Sequence, residues 1–201
     1  MIVKQRIIAG ALLIVLCGAG FVHGMRASLA QSLYHQSRYG VGQMDVRGVL
    51  RRCESAHRLY PHNYYFTIYA GERAYLESGG HGRVRDRRLR SEAGKWAGVS
   101  MALNPYRSSV QLLNARLKAD ESISDAIAIW DEFVDWHFWE PYHHLVRVEL
   151  YTQAGMLEEA LEAQRWTIGS RYAGTARKLV QDAWLSLQQF PDELIPGLPD
   201  T

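Results

Sequence analysis

Residues 95–117 read KWAGVSMALNPYRSSVQLLNARL, and this stretch decides what kind of fold the chain adopts. Apolar side chains recur at intervals of three and four residues on both sides of the central Pro105, which is the spacing of one helix face. Proline cannot continue a helix, and it disfavours the helical conformation in the residue before it. The stretch therefore predicts two amphipathic helices that are joined by a short proline turn.

The same helical spacing continues through the chain after Tyr34, and no segment alternates with a period of two for long enough to predict a strand. Glycines and prolines interrupt the pattern at regular places. The predicted helices are 26–39, 45–59, 63–78, 89–103, 107–119, 123–138, 142–154, 157–170 and 174–189. We therefore predict an all-α chain that ends in an extended, proline-rich tail over 191–201.

Two other segments share this proline corner, namely CESAHRLYPHN at 53–63 and FVDWHFWEPYH at 133–143. Each predicts an apolar-striped helix that closes about two residues before its proline. The three prolines, Pro61, Pro105 and Pro141, lie 44 and 36 residues apart. Recurrence at such a distance is typical of stacked helix-pair repeats, which predicts a repeating architecture.

Together with LYTQAGMLEEALEAQ at 150–164, these segments resemble tetratricopeptide (TPR) repeat proteins between Leu33 and Tyr172. The resemblance implies an antiparallel helix-pair solenoid over 31–190, in which small residues allow paired helices to approach closely. The small residues at such positions are Ala56, Ala93 and Ala160. The family period of about 34 residues requires insertions, and the larger one falls in GGHGRVRDRR at 79–88. A helical bundle without repeats is the alternative.

The N-terminal segment 7–24, IIAGALLIVLCGAGFVHG, has 18 residues without a charge. About 20 apolar residues span a bilayer, with a lower limit near 17, so we predict a transmembrane anchor over 1–30 that contacts lipid through 7–24. Apolar residues continue at a spacing of four beyond this segment, at Met25, Leu29 and Leu33. This continuation predicts one uninterrupted helix from about residue 5 to residue 39.

Lys4 and Arg6 precede the anchor, and basic residues tend to stay on the cytoplasmic side of a membrane. We therefore predict a single-pass protein of a bacterial inner membrane, with its C-terminal domain in the periplasm and no nucleic acid as partner. A cleaved signal peptide is the alternative, because residues 28–30 read Ser-Leu-Ala, a small-x-small site. If the anchor is retained, its residues Gly10, Gly18 and Gly20 are predicted to let other transmembrane helices pack closely on it.

Charge is distributed unevenly along the chain. Up to Arg107 there are 16 basic against 6 acidic residues, and from Ser108 onward there are 7 against 15. Such a division favours contact with an oppositely charged surface or partner, and it does not identify a fold. Cys17 lies in the anchor and Cys53 in a predicted helix, so we expect no disulfide between them.

The segment 133–150, FVDWHFWEPYHHLVRVEL, holds three histidines and is either a metal site or a corner between two helices. His137, Glu140 and His144 would share a face only in one continuous helix, which Pro141 interrupts. Adjacent histidines point to different sides of a helix, and the His-Glu-x-x-His motif is absent. We therefore predict a structural corner and no metal.

In this corner, the spacing of four and three predicts that Ile129, Phe133 and Trp136 form the buried face of the first helix. Tryptophan and tyrosine are favoured at interfaces because they join a large apolar surface to a polar group. We therefore predict that Trp139, Tyr142 and His143 form an exposed patch that binds a partner protein.

A second candidate surface is the arginine-rich segment that contains Arg83, Arg85, Arg87 and Arg88. Clustered arginines bind anionic lipid head groups or acidic protein surfaces, so this segment is predicted to contact a partner protein or anionic lipid at the membrane. The alternative is a solvated loop, or one that pairs with acidic residues of the C-terminal half.

No motif for nucleophilic catalysis, phosphate binding or metal-assisted hydrolysis occurs, so we predict no catalytic residue and no cofactor. The predicted function is that of a membrane-anchored, TPR-like adaptor or scaffold that binds a partner protein in an extracytoplasmic envelope complex. One alternative is a structural accessory subunit that packs through its transmembrane helix against an integral membrane complex. A further alternative is an enzyme of envelope polysaccharide or lipid metabolism.

Overall fold

The structure is a computed structural model that describes residues 2–40, 44–80 and 85–189. Within these ranges the chain forms nine α-helices and no β-strand, which confirms the all-α prediction for them. The helices are α1 Ile2–Tyr39, α2 Val46–Leu59, α3 Tyr64–Glu77, α4 Arg87–Leu103, α5 Ser108–Ala119, α6 Ile123–Asp135, α7 Pro141–Gln153, α8 Leu157–Arg165 and α9 Ala173–Gln189. The predicted tail over 191–201 lies outside the described residues.

The helices divide between two compact units, of which unit 1 is Met1–Pro105 and unit 2 is Tyr106–Thr201. The division lies within two residues of the point at which the charge changes sign along the sequence. Unit 1 holds 15 basic and 6 acidic residues, and unit 2 holds 8 basic and 15 acidic residues. The basic and acidic halves of the sequence are therefore two separate structural units.

Unit 1 is organised around α1, which has 38 residues and is about 57 Å long at 1.5 Å per residue. The prediction of one uninterrupted helix to residue 39 is confirmed. The side chains of α1 are exposed from Gly10 to Arg26, whereas Ala30 and Tyr34 are buried in a core cluster with Ala56 of α2 and Phe66 of α3. The same helix is thus exposed and mostly apolar from Gly10 to Arg26, and it contributes Ala30 and Tyr34 to the core.

Contacts along α1 give the direction of its neighbours in unit 1. The ring of His23 lies 5.5 Å from the ring of Tyr60, just after the end of α2. The middle of α1 therefore meets the end of α2, whereas Ser37, near the C-terminal end of α1, meets Cys53 in the middle of α2 at 3.7 Å. The hydroxyl of Tyr69 on α3 also donates to the carbonyl of Ser37, at 3.2 Å. α2 therefore runs antiparallel to α1, and α3 runs parallel to it.

The remaining core of unit 1 joins α4 to α2 and α3. Val49, Cys53, Ala70 and Trp96 form a second buried cluster, and the buried Ser100 hydroxyl donates to the hydroxyl of Thr67 at 2.8 Å. Cys53 is buried and Cys17 is exposed, and both are free thiols, as expected.

Two buried clusters of unit 2 share α7. The first packs α5, α6 and α7 around a fully buried Trp130. The second packs α7, α8 and α9 through small residues.

Three alanines predicted to lie where helices approach, Ala56, Ala93 and Ala160, are all fully buried, as expected. The solenoid arrangement over 31–190 itself stays a prediction.

Two proline corners are alike and the third is not. Leu59 and Leu103 each end a helix, and the residues that follow, Tyr60 and Asn104, have similar dihedral angles of φ −141°, ψ 83° and φ −154°, ψ 84°. Each then precedes a proline, as predicted. Pro141 instead opens α7, six residues after α6 ends at Asp135, so the prediction that it closes a helix is wrong. Proline suits the first turn of a helix because its missing N–H has no partner to lose there.

Candidate functional site

The core of the corner between α6 and α7 is Trp130, which is fully buried and donates from Nε1 to the carbonyl of His143 at 3.0 Å. The buried face of α6 is Ala126, Trp130, Phe133 and Val134. The prediction of Ile129, Phe133 and Trp136 is therefore wrong for Trp136, of which 77% is exposed, and Ile129 is half-buried. α6 ends at Asp135, so Trp136 has already left the helix whose face it was expected to continue.

The three histidines each bind a carbonyl at the end of α6 or in the turn after it. His137 Nδ1 lies 3.1 Å from the carbonyl of Phe133, His143 Nδ1 lies 3.3 Å from that of His137, and His144 Nε2 lies 2.6 Å from that of Phe138. A carbonyl can only accept, so each of these ring nitrogens carries the proton and donates. The last carbonyls of a helix lack helical partners, so His137 satisfies one of them in α6, while His143 and His144 donate to carbonyls of the turn that follows. We name His137, His143 and His144 the histidine clamp.

The clamp has the properties of a structural element. His143 is 6% exposed and His144 is 2% exposed, and burial lowers the pKa of both imidazoles, so both are neutral at pH 7. One nitrogen of each ring is engaged with the backbone, and within the described ranges no three His, Cys, Asp or Glu side chains gather as metal ligands would. All three histidines hydrogen-bond to the backbone of residues 133–138 and hold it in place.

Large aromatic side chains cover the outer surface of the same corner. Phe138 is 53% exposed, Trp139 is 65% exposed and Trp166, just after α8, is 54% exposed. The ring of Phe138 lies 5.5 Å from Trp139 and 6.4 Å from Trp166, so the three rings form a continuous surface. We name Phe138, Trp139 and Trp166 the aromatic ridge.

The predicted patch of Trp139, Tyr142 and His143 differs from this ridge. Trp139 is exposed as expected, but His143 is buried and its predicted exposure is wrong, because it faces Trp130 and Phe133 inside the corner. Tyr142 is half-buried against the first core cluster of unit 2. Sequence reasoning missed Phe138 and Trp166. The sequence carried no signal for the exposure of Trp166, because a spacing of three from Ala160 and Ala163 would continue the buried face of α8 to it.

Ion pairs join α7 to α6 beside the clamp. Arg147 Nε donates to Asp131 at 2.8 Å, and its Nη2 donates to Asp135 at 3.1 Å. The second oxygen of Asp131 accepts from the hydroxyl of Tyr151 at 2.8 Å. Burial, together with this bond to a carboxylate, raises the pKa of Tyr151. Asp131 therefore has a structural role, because it joins α6 to Arg147 and Tyr151 of α7.

A small cleft lies between α7 and α8 and shares Trp166 with the aromatic ridge. Its volume is about 170 Å³, and its lining residues are His144, Arg147, Tyr151, Glu159, Glu162, Ala163 and Trp166. Arg147 is paired with two aspartates, whereas Glu159 and Glu162 form no ion pair with any basic side chain among the described residues. The ring of His144 stacks on Trp166 at 5.1 Å. The cleft is therefore a polar, acidic recess beside a rigidly supported tryptophan.

The arginine-rich segment lies at the end of α3 in unit 1. Arg83 lies outside the described residues. The backbone N–H of Arg85 donates to the carbonyl of Ser78 at 2.7 Å, which fixes Arg85 at the end of α3. Asp86 caps α4 by accepting from the N–H groups of Arg88 and Leu89 at 2.8 and 3.1 Å. Arg87 and Arg88 therefore begin α4 instead of lying in a free loop.

The position of these arginines bears on the predicted lipid contact. Arg85, Arg87 and Arg88 are exposed. They lie beyond the C-terminal end of α3, about 20 Å along that helix from the Tyr64 end. The Tyr64 end is the one near His23 and the bare part of α1. This placement does not favour contact between these arginines and a bilayer that holds α1, and it leaves them available to a protein partner.

α1 is long and apolar enough, from Gly10 to Tyr39, to cross a bilayer, a property that a signal sequence near the N-terminus shares. Gly10, Gly18 and Gly20 are exposed, and no side chain of another helix lies within 4 Å of a Cβ built on any of them. Gly18 and Gly20 are two residues apart, so they face different sides of α1. The three predicted glycines therefore do not form one packing surface, although each is accessible.

Comparison with known proteins adds no identification: no protein-family model, curated protein or solved structure matches the chain. The TPR resemblance accordingly stays a prediction.

Proposed function

We propose that the protein is a membrane-anchored adaptor that binds a partner protein through the aromatic ridge of unit 2 and performs no chemistry of its own. α1 would tether it to a bacterial inner membrane, with both units in the periplasm, as the basic residues before the apolar segment favour. The observation that carries the proposal is the ridge itself: three adjoining aromatic side chains, each more than half exposed.

Exposed aromatic surface of this kind favours binding. Contiguous apolar patches are uncommon on monomeric proteins, and tryptophan is enriched among the residues that contribute most to protein–protein binding energy. The ridge is also held rigidly, because His144 both bonds to the backbone at Phe138 and stacks on Trp166. A rigid surface loses little conformational entropy when it binds.

The charge around the ridge indicates the chemistry of the partner. Asp135 and Glu140 are exposed on the same corner, and Glu159 and Glu162 line the adjoining cleft. Unit 2 as a whole has an excess of acidic residues. A partner segment that carries apolar residues beside Lys or Arg would complement this surface in both apolar character and charge.

The packing of α1 supports a retained anchor over a cleaved signal peptide. Cleavage after Ala30 would remove that residue from the core cluster in which it is fully buried, together with the contact between His23 and Tyr60. It would also leave a new N-terminus one turn before the buried Tyr34. A segment that is removed on export would not be expected to complete the core of the exported domain.

The test is quantitative affinity purification of the full chain from native membranes, with the Trp139→Ala variant beside wild type. Trp184→Ala is the matched control, because Trp184 is a 53% exposed tryptophan on α9 of the same unit. We expect a partner that is recovered with wild type and Trp184→Ala but is depleted at least tenfold with Trp139→Ala, since an interface tryptophan contributes about 2 kcal/mol or more. Equal recovery with both variants would contradict binding through the ridge.

A second function, that of an accessory subunit packed through α1, is favoured by the open surface at the anchor glycines. Small residues allow transmembrane helices to approach closely, so leucine at such a position would separate them. We expect Gly18→Leu and Gly20→Leu to abolish association with an integral membrane complex if this function holds, while Val22→Leu leaves it intact. Retention of partners by the glycine variants would favour the adaptor.

A further inference from the structure

We propose that residues 60–65, Tyr-Pro-His-Asn-Tyr-Tyr, lie in the head-group layer of the bilayer that holds α1 and bind to that layer. We name them the tyrosine loop. The inference rests on the proposed anchoring of α1, and it adds a second membrane contact that fixes how unit 1 stands on the surface.

The level of the loop follows from its contact with α1. The uncharged run that begins at Ile7 ends at Arg26, the first charged residue after Arg6. A hydrocarbon core of about 30 Å requires about 20 helical residues, so α1 leaves it between about His23 and Arg26. The Tyr60 ring lies 5.5 Å from that of His23, which puts the start of the loop at the same height as the exit of α1.

The height of the tyrosine loop relative to the bilayer is fixed, because α1 has no break between its exposed apolar part and the part that packs on α2 and α3. α1 is one helix through this region, and Ala30 and Tyr34 pack against Ala56 and Phe66, the residues that flank the loop on α2 and α3. Movement of the loop away from the bilayer would therefore require these buried contacts to open. A flexible linker, which would uncouple the domain from the anchor, is absent from this part of the chain.

The side chains of the loop have the chemistry of the interfacial layer. Residues 59–65 carry no Asp, Glu, Lys or Arg. Pro61 and His62 are exposed, and Tyr65 is 44% exposed and stacks on Tyr64 at 4.3 Å. Tyrosine favours the head-group region because its ring is apolar and its hydroxyl is polar.

The opposite end of unit 1 has the contrary character, which sets the direction of the contact. The end of α3 beyond Ser78 carries the exposed Arg85, Arg87 and Arg88. It lies about 20 Å farther along α3 than the tyrosine loop. The tyrosine loop, which is aromatic and uncharged, thus faces the anchor, and the arginine-rich end faces away from it.

The experiment measures depth by nitroxide spin labels on the full chain in vesicles of phosphatidylethanolamine and phosphatidylglycerol. Cys17→Ala removes the exposed thiol, and the buried Cys53 is retained after mass spectrometry confirms that it does not react. Single cysteines then replace His62 or Tyr65 in the loop, Val15 in the anchor and Glu77 at the far end of α3. Accessibility to oxygen, which prefers lipid, is compared with accessibility to a water-soluble nickel chelate.

We expect the oxygen-to-nickel ratio at 62 and 65 to fall between the high ratio at 15 and the low ratio at 77. Equal ratios at 62, 65 and 77, with a high ratio at 15, would overturn the loop contact and leave the anchor intact. Low accessibility to both reagents at 62 and 65 would show that a second copy of the protein covers the loop, and it would also overturn the proposal. A low ratio at 15 would remove the anchor and the inference with it.

Discussion

The corner at 59–64 in unit 1 and the corner at 135–141 in unit 2 each hold a proline after an apolar-striped helix, but their structures differ. In unit 1, α2 ends and the proline follows its capping residue directly. Asn63 then caps α3 by accepting from the backbone N–H of Tyr65 at 3.0 Å. In unit 2, five residues separate α6 from α7, and the proline is the first residue of α7. Proline thus serves as a stop in one corner and as a start in the other.

The difference teaches that a corner is defined by how its free backbone groups are satisfied. The unit 1 corner is short and uses one asparagine. In the unit 2 corner no side chain caps α7, and histidine side chains from the turn and from α7 donate to the carbonyls of 133–138 instead. The longer turn is what exposes Phe138 and Trp139. The structural histidines and the proposed binding surface are therefore two sides of one construction.

The largest expected effect comes from removing the core of the unit 2 corner. Trp130→Ala deletes a fully buried side chain and leaves the carbonyl of His143 without its donor. Such substitutions cost about 3–5 kcal/mol. We expect hydrogen exchange with mass spectrometry to show a loss of protection over 123–153, while protection over 46–78 in unit 1 is retained.

Trp184→Ala serves as the control for this prediction, since a half-exposed tryptophan on α9 should cost less than about 1 kcal/mol. Equal losses of protection in the two variants would show that the corner is not organised around Trp130. A loss in unit 1 as large as that in unit 2 would show that the two units do not unfold independently.

The fold could be predicted from sequence to the extent that single residues decide it. Pro61 and Pro105 stop helices because of their own covalent structure, and the predicted ends at 59 and 103 are correct. The role of Pro141 could not be read in this way, because proline fits either after a helix or in its first turn. The buried face of α6 was misassigned for a related reason. Residues 129, 133 and 136 and residues 126, 130 and 133 both have helical spacing, and only the packing partners decide between them.

The second prediction concerns pH, because the unit 2 corner contains two buried histidines of lowered pKa, His143 and His144. In the unfolded chain these imidazoles bind protons near their ordinary pKa of 6.5, so below that pH the unfolded state binds more protons than the folded one. The contribution of these two histidines to the free energy of unfolding is therefore greatest above about pH 7.5, and it decreases as the pH falls through 6.5. Each histidine contributes up to about 1.4 kcal/mol per pH unit.

The measurement is the protection of 123–153 against hydrogen exchange at pH 7.5 and 5.5, corrected for intrinsic rates. Unit 1 provides the comparison, since among its described residues burial lowers the pKa of one histidine, His57. We expect a larger loss in unit 2. His144→Gln keeps a side chain that can donate to the carbonyl of Phe138, and it should reduce the pH dependence. Equal dependence in wild type and variant would exclude His144 as its source.

The candidate site was less predictable than the fold. Trp139 was identified because it stands in an evident cluster, but Phe138 and Trp166 adjoin it only through tertiary contacts between the α6–α7 turn and the end of α8. The burial of His143 likewise depends on the position of Trp130, which the sequence does not specify. The charge division was visible in the sequence and coincides with the two units, since charge counts require no knowledge of packing.

The smallest expected effects test whether the caps of the two corners differ as described. Asn63→Ala removes the side chain that caps α3 and should cost about 1 kcal/mol. Glu140 precedes α7 without a side-chain cap bond, because its carboxylate is one methylene too long for the preferred geometry. Glu140→Asp keeps the charge and supplies the shorter side chain, so it should stabilise unit 2 by up to about 1 kcal/mol.

Local hydrogen exchange at the start of α3 and at the start of α7 measures both effects, with the opposite unit as the internal reference in each variant. Pro141 has no N–H, so aspartate at 140 can accept only from the N–H groups of Tyr142 and His143, and protection should rise there. A gain in unit 2 with a loss in unit 1 would establish that one corner is already capped and the other is not. No gain from Glu140→Asp would mean that the histidine clamp alone determines the stability of its corner.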